Sequence, residues 1–126
     1  MSDETTKYDI GMTVRRQVLG DEHVDKAREA TSAIDGDFQT WITESVWGYL
    51  WARPGLERRE RSLVTIAMLA AAGQDELEIH LRAARNTGAT PEEIAEVLLH
   101  VAVYAGVPAA NHAFALMKDV YGEESG

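Results

Sequence analysis

A chain of 126 residues has the length of one domain, and its 21 acidic against 12 basic side chains (formal charge -9) give it the wrong sign for nucleic-acid phosphate. It has no cysteine, which removes disulfides, thiol redox chemistry, iron–sulfur clusters and thiolate zinc sites together. No apolar run approaches the roughly 18–20 residues that a membrane span needs, and MSDETTKYD lacks the basic-then-apolar pattern of a signal peptide, so the cytoplasm is the expected compartment.

In chain order, residues 1–6 and 123–126 are polar and read as frayed ends, leaving an ordered core of about 8–121 in a single domain spanning 1–126. YDIGMTVRRQVLG predicts a short helix ended by Gly20, and Asp21 is placed to cap the next, which runs to about Ala33. IDGD breaks the chain. Phe38, Trp41, Ile42, Ser45, Val46 and Tyr49 then recur at helical spacing until Arg53-Pro54-Gly55 ends that helix. From about Glu57 to Ala72, Leu63, Ile66, Ala67 and Ala70 make one apolar face, while Met68, Ala71 and Ala72 leave the other side apolar too. A helix without a polar face is buried all round, and in a domain this small a second copy can supply the second side. Gly73 breaks the helix, and Asp75 to Thr87 form the next, with Leu77, His80, Leu81 and Ala84 on one face and Gly88 at the end. TPEEIAEVLLHVAVYAG carries the strongest local signal: Thr90 as N-cap, Pro91 at the first helical position and Glu93 closing a capping box. Gly106 and Pro108 separate it from a last helix over about Ala109 to Tyr121. The expected fold class is all-α.

Four of the nine arginines, Arg53, Arg58, Arg59 and Arg61, fall within nine residues of this acidic chain. At a helix start they oppose the macrodipole, which prefers anions there. Either they pair with Glu57, Glu60 and neighbouring acids on a solvated face, or they form an anion site, since guanidinium forks bind carboxylates in bidentate fashion. Arg59 projects with Leu63 and Arg61 with Thr65 and Met68, so one ligand does not engage them all. His80 lies between apolar residues on an inward face. It is either a satisfied core histidine or an acid–base group oriented by Glu76 one turn earlier. No H-E-x-x-H or comparable ligand set exists, so no metal site is expected. His100 reads as structural and His23 as a surface or capping residue, while His112, in PAANHAF, is a further candidate. Trp41, Trp47 and Trp51, with Tyr49, read as core and interface anchors, although Trp47 or Trp51 could wall a pocket before the Arg53 turn. P-loop, G-x-S-x-G and G-x-G-x-x-G motifs are missing, which leaves nucleotide binding and serine nucleophile chemistry without support.

Taken together, GMTVRRQVLGDEHVDKA, WGYLWARPGL, RSLVTIAML, HLRAARNTGATPEEIAEVLLHVAVYAGVPAAN and AF resemble the gamma-carboxymuconolactone decarboxylase family of the protocatechuate branch of the beta-ketoadipate pathway, from about Tyr8 to Tyr121. The resemblance implies an alkyl hydroperoxidase D-like helical fold, a homo-oligomer (trimer or hexamer), and conversion of 4-carboxymuconolactone to 3-oxoadipate enol-lactone. It also implies no cofactor. The substrate, a small carboxylated lactone, holds its own electron sink in the ring carbonyl. Arg53, Arg58 and Arg61 fall on arginines of the family blocks, and Arg59 does not. These three, with Trp47, Trp51 and His112, are the implied substrate-binding residues, and His80 with Glu76 the catalytic pair. Peroxidase relatives in the same superfamily use a Glu, a Cys-x-x-Cys pair and a His. Counting back from His80, the cysteine positions hold Gly73 and Glu76, and the acidic one falls at Ser62 or Arg61, which excludes thiol peroxidase chemistry. Two other readings stay open: another small-carboxylate lyase or isomerase of the superfamily, and a non-catalytic oligomeric or ligand-binding module. No partner beyond the lactone and further copies of the chain is expected, neither nucleic acid nor membrane.

Overall fold

Thr6 opens the first helix: its hydroxyl accepts the Asp9 amide at 3.1 Å, and Asp9 returns the contact to the Thr6 amide at 3.3 Å. This T-x-x-D capping box starts α1 (Lys7–Leu19) inside a stretch expected to fray. The computed structural model describes residues 5–125, and the expected fraying of 1–4 and 126 lies outside them. All the elements among the described residues are helical. Gly20, at φ 93°, ends α1 as expected and also caps α2 (Asp21–Ala30), so Asp21 is the first helical residue and not the cap. The helix α2 stops three residues before the expected Ala33, because Asp35 Oδ1 accepts the Ser32 amide and Ser32 Oγ accepts the Ile34 amide, holding that stretch in turns.

The helix expected after IDGD is two structures in one. It begins as α3 (Gly36–Ile42) and continues as a π-helical segment, here π1 (Thr43–Leu50). The wider winding shows at its end, where the Trp51 amide donates to the Val46 carbonyl five residues back at 2.9 Å. Two glycines account for the packing of π1 on α1. A Cβ on Gly11 would strike the Thr43 carbonyl oxygen, and one on Gly48 would strike the Lys7 carbonyl oxygen. Only residues without a side chain permit backbones this close. These elements form the first of two compact units, Met1–Leu56.

The second unit, Glu57–Gly126, holds α4 (Arg58–Ala72), α5 (Leu77–Thr87), α6 (Pro91–Tyr104) and α7 (Val107–Ser125). Its core joins Ile66, Leu77, Leu81, Ile94, Leu98 and Val120, each essentially out of solvent. Burying a side chain of this size stabilises by about 1.5–3 kcal/mol, so these six residues dominate the packing of the unit. The Thr90–Pro91–Glu93 start of α6 is as expected, with Thr90 Oγ1 accepting the Glu93 amide at 3.1 Å. In contrast, α5 begins at Leu77, since Asp75 and Glu76 are in a turn, and α7 starts at Val107 with Pro108 inside its first turn. Proline lacks an amide that the first turn leaves unused in any case, so Pro108 starts the helix and does not precede it. The last helix also continues past Tyr121 to Ser125, where a frayed end was expected.

Candidate active site

The arginine cluster is divided between the two units. Arg53, at the end of the first unit, donates from one terminal nitrogen to the Tyr49 hydroxyl at 3.1 Å and lies over the Tyr49 ring at 5.2 Å. In the second unit Glu57 is the N-cap of α4, and its amide donates to Glu60 Oε1 at 3.0 Å, so carboxylates occupy the helix start that the arginines would otherwise oppose. Arg59 reaches across to α6 and pairs with Glu93 at 2.5 Å. That carboxylate already accepts the Thr90 amide at 3.0 Å. The Thr90 backbone hydrogen bond, then the Arg59 charge, holds Glu93 below the usual carboxylate range against some desolvation. Arg59 is therefore a structural arginine. Arg58 is half-buried and Arg61 buried.

His80 occupies the inward face of α5 beside buried Leu77, Leu81 and Ala84, half-buried, with Nδ1 shut off from solvent. Glu76 meets it only through the backbone: its carbonyl accepts the His80 amide at 3.3 Å. As the N-cap of α5, Glu76 is exposed, and its carboxylate makes no hydrogen bond or ion pair among the described residues. The i,i+4 argument assumed helix at Glu76, and the turn at Asp75-Glu76 removes that premise. Buried Ser62 on α4 and half-buried Thr87 on α5 bring their hydroxyl oxygens to 2.6 Å, and Thr87 Oγ1 donates to the Ala84 carbonyl at 3.3 Å.

His112 is exposed on α7. His100, read as structural, is exposed as well and stacks on Tyr104 with ring centroids 6.4 Å apart. Trp47 and Trp51 are buried in the first unit, their rings 5.2 Å apart, whereas Trp41 is 57% exposed and stacks on Phe38. Of the tryptophans read as anchors, only Trp47 and Trp51 are buried.

Sequence reasoning passed over Arg15. It lies on the face of α1 that carries buried Gly11, Val14 and Val18, and it is itself only 8% exposed. That register was readable: an arginine at spacing 11, 14, 15, 18 occupies a core position. Its terminal nitrogens donate to Thr43 Oγ1 at 3.2 Å and Gln39 Oε1 at 3.3 Å. Burial pushes its pKa below the ordinary arginine value, with the nearby Tyr8 acting the other way. Half-buried His23 on α2 is held below the usual imidazole range by burial, then by the charges of Arg15 and Lys26.

Among the described residues no group of three or more His, Asp or Glu is placed to hold a metal ion, and no helix is long and apolar enough to cross a membrane.

Comparison with known proteins gives the following matches. The model of the carboxymuconolactone decarboxylase family matches residues 36–119. A 4-carboxymuconolactone decarboxylase of Acinetobacter baylyi is 47% identical over 122 residues, 96% of this chain and 90% of that one. A nitrosuccinic acid decarboxylase of Metarhizium robertsii is 43% identical over 109 residues, 84% of this chain and 75% of that one. A 4-carboxymuconolactone decarboxylase of Pseudomonas putida is 50% identical over 46 residues, 36% of this chain and 96% of that sequence.

Proposed function

From the premise that this chain belongs to the carboxymuconolactone decarboxylase family, we propose that it is a carboxy-lyase converting 4-carboxymuconolactone to 3-oxoadipate enol-lactone in protocatechuate catabolism. The observation that carries this reading is 47% identity to a decarboxylase of that name over 96% of the chain. The similarity runs through both compact units, so the whole chain is proposed to act as one domain, of alkyl hydroperoxidase D-like type.

The chemistry explains why no cofactor is proposed. The bond from the ring carbon to its carboxylate breaks, and CO2 leaves. The electron pair moves through the ring double bond onto the lactone carbonyl oxygen as a dienolate. A proton then adds to the ring carbon beside that carbonyl. The protein has to hold the remaining carboxylate, stabilise the oxyanion and deliver one proton. His80 is the proposed acid, because its face of α5 is withdrawn from solvent. Arg58 and Arg61, at the start of α4, are the proposed anion holders in the second unit. Arg53, Trp47 and Trp51 in the first unit, and His112 on α7, keep the substrate-binding roles that the resemblance gives them. Glu76, whose carbonyl accepts the His80 amide, keeps only the orienting role that the resemblance gives it.

The second reading, a different small-carboxylate substrate, is favoured by the 43% identity to a nitrosuccinic acid decarboxylase. A nitro group is also an electron sink, so the same protein parts serve both substrates. We further propose a homo-oligomer, trimer or hexamer, acting in the cytoplasm. Large apolar residues left open in the single chain support association: Met68 is 68% exposed, Val103 76% and Tyr104 85%. Metal-free protein should be given freshly made lactone and, separately, nitrosuccinate, and the CO2 released should be measured. Faster turnover of the lactone supports the first reading, and faster turnover of nitrosuccinate the second. Tight carboxylate binding without turnover would make the protein a binding module.

A further inference from the structure

Arg15 carries a charge into the first unit and has no acidic partner among the described residues. Its two hydrogen-bonded neighbours, Thr43 and Gln39, are neutral, and its Nε is buried with no partner among the described residues. An arginine withdrawn from water and left without a counter-charge is strongly unfavourable, and an anion at the site would offset that. Space for one exists. A cavity of about 140 Å³ adjoins Arg15 and is lined also by Arg28, Tyr8, Thr31, Gln39 and Thr43, with no carboxylate among its lining residues. Arg28, exposed on α2, makes no ion pair among the described residues. Two arginines and several hydroxyl groups therefore surround a void of donor character.

We propose that this cavity binds a small carboxylate, held chiefly by Arg15, with Arg28 supplying a second positive charge. The size sets the class of ligand. A liquid water takes up about 30 Å³, so the void holds a molecule equal to four or five waters, between acetate and succinate. A planar carboxylate suits a guanidinium fork whose outer nitrogens are already engaged by neutral acceptors, because Nε remains to bind it. Inorganic phosphate has four oxygens to satisfy where a planar carboxylate has two, and so fits this small set of donors less well. All the residues involved lie between positions 8 and 43, and none of them has a role in the proposed decarboxylation. Failure of the site would leave that reading untouched.

The test uses the arginine Nε–H signals of the full-length, nitrogen-15-labelled protein in a buffer free of small carboxylates. The Arg15 signal is assigned through bonds from its backbone, so no variant is needed for the assignment. Acetate, succinate and phosphate are titrated separately. The expected result is a saturable shift of Arg15 Nε–H in the millimolar range for acetate or succinate, tighter than for phosphate. Arg28→Gln, an exposed change that the fold tolerates, should weaken binding by roughly two- to five-fold, the scale of a solvent-screened charge. Arg15→Lys should abolish it. Three results would overturn the proposal: no Arg15 shift at any carboxylate concentration, tighter binding of phosphate, or an Arg15 shift that follows protein concentration. The last would mean that a carboxylate of a second copy fills the void.

Discussion

Gly11→Ala isolates the close approach of α1 and π1. The added Cβ would collide with the Thr43 carbonyl oxygen and lie 2.9 Å from the Gly48 amide nitrogen, and both obstacles are backbone atoms. A side chain could rotate away, but a backbone cannot, so the two helices must separate or bend. Alanine's higher helix propensity returns up to ~1 kcal/mol. Overpacking a tight contact costs about 1–3 kcal/mol, and more where nothing yields. With two rigid obstacles the upper end applies, which leaves a net destabilisation of roughly 2 kcal/mol. Gly36→Ala is the control, since a Cβ there meets nothing within 4 Å and its φ is not positive. It should stabilise by about 0.4–1 kcal/mol through the unfolded state. Urea unfolding followed by tryptophan fluorescence reads the difference, because Trp47 and Trp51 in and beside π1 are buried reporters. The midpoint should fall for Gly11→Ala and rise for Gly36→Ala at constant slope. A Gly11→Ala protein as stable as the parent would refute the glycine-mediated contact.

His80→Gln keeps size and some hydrogen bonding but removes the titratable proton, so kcat on the lactone should fall by ~10²–10⁴-fold with KM little changed. Near-parental kcat between about pH 6 and 8, bracketing the imidazole range, would return His80 to a core role and make His112 the next acid to test. Arg58→Gln and Arg61→Gln separate by which parameter moves: a higher KM marks a contact to the ground-state carboxylate, and a kcat lower by roughly 10²–10³-fold marks one to the oxyanion. Met68→Glu should dissociate the assembly, since a carboxylate buried at an interface without a partner is strongly unfavourable, and an unchanged sedimentation profile would exclude Met68 from any subunit contact. His23, held low in the fold, binds a proton less readily folded than unfolded. Its contribution to stability is thus complete above its ordinary value of about 6.5 and is lost as pH falls below that. His23→Gln should flatten the pH dependence of the urea midpoint just below that value, and an unaltered slope would count against the shift.

The capped start of α6 was legible from the sequence, and the uncapped end of α2 was not. Thr90, Pro91 and Glu93 mark α6 to the residue because side-chain and backbone atoms at fixed spacing satisfy the first amides. Nothing equivalent marks the end of α2, where Ser32 and Asp35 compete for backbone amides that a helical pattern assigns to the helix. The π winding of Thr43–Leu50 was illegible for a different reason. Apolar spacing there fits an α-helix nearly as well, and the close contact of this segment is with Gly11, more than thirty residues away. The arginine cluster was visible as an anomaly, but its division depended on Glu93 from another helix, which only the packing of α4 against α6 brings to Arg59. Arg15 was readable at a core register. It went unread because the cluster at 53–61 was the more conspicuous concentration of charge.

A π segment is an α-helix carrying an extra residue, and this makes the stretch Thr43–Leu50 sensitive to length in a way that it is not to composition. Removing one residue near Ser45 would let ordinary i-to-i−4 bonding resume, and the local backbone would lose nothing. Residues after the deletion would hold close to their present faces, because the π winding already spreads one extra residue over the same turns. Inside the segment one position stays fixed: a Cβ at Gly48 would strike the Lys7 carbonyl oxygen, so a shortened segment still needs a glycine there. Adding a residue has no such compensation and would turn everything beyond it by about 100°, one residue's rotation. This part of the chain can therefore diverge by losing a residue more readily than by gaining one.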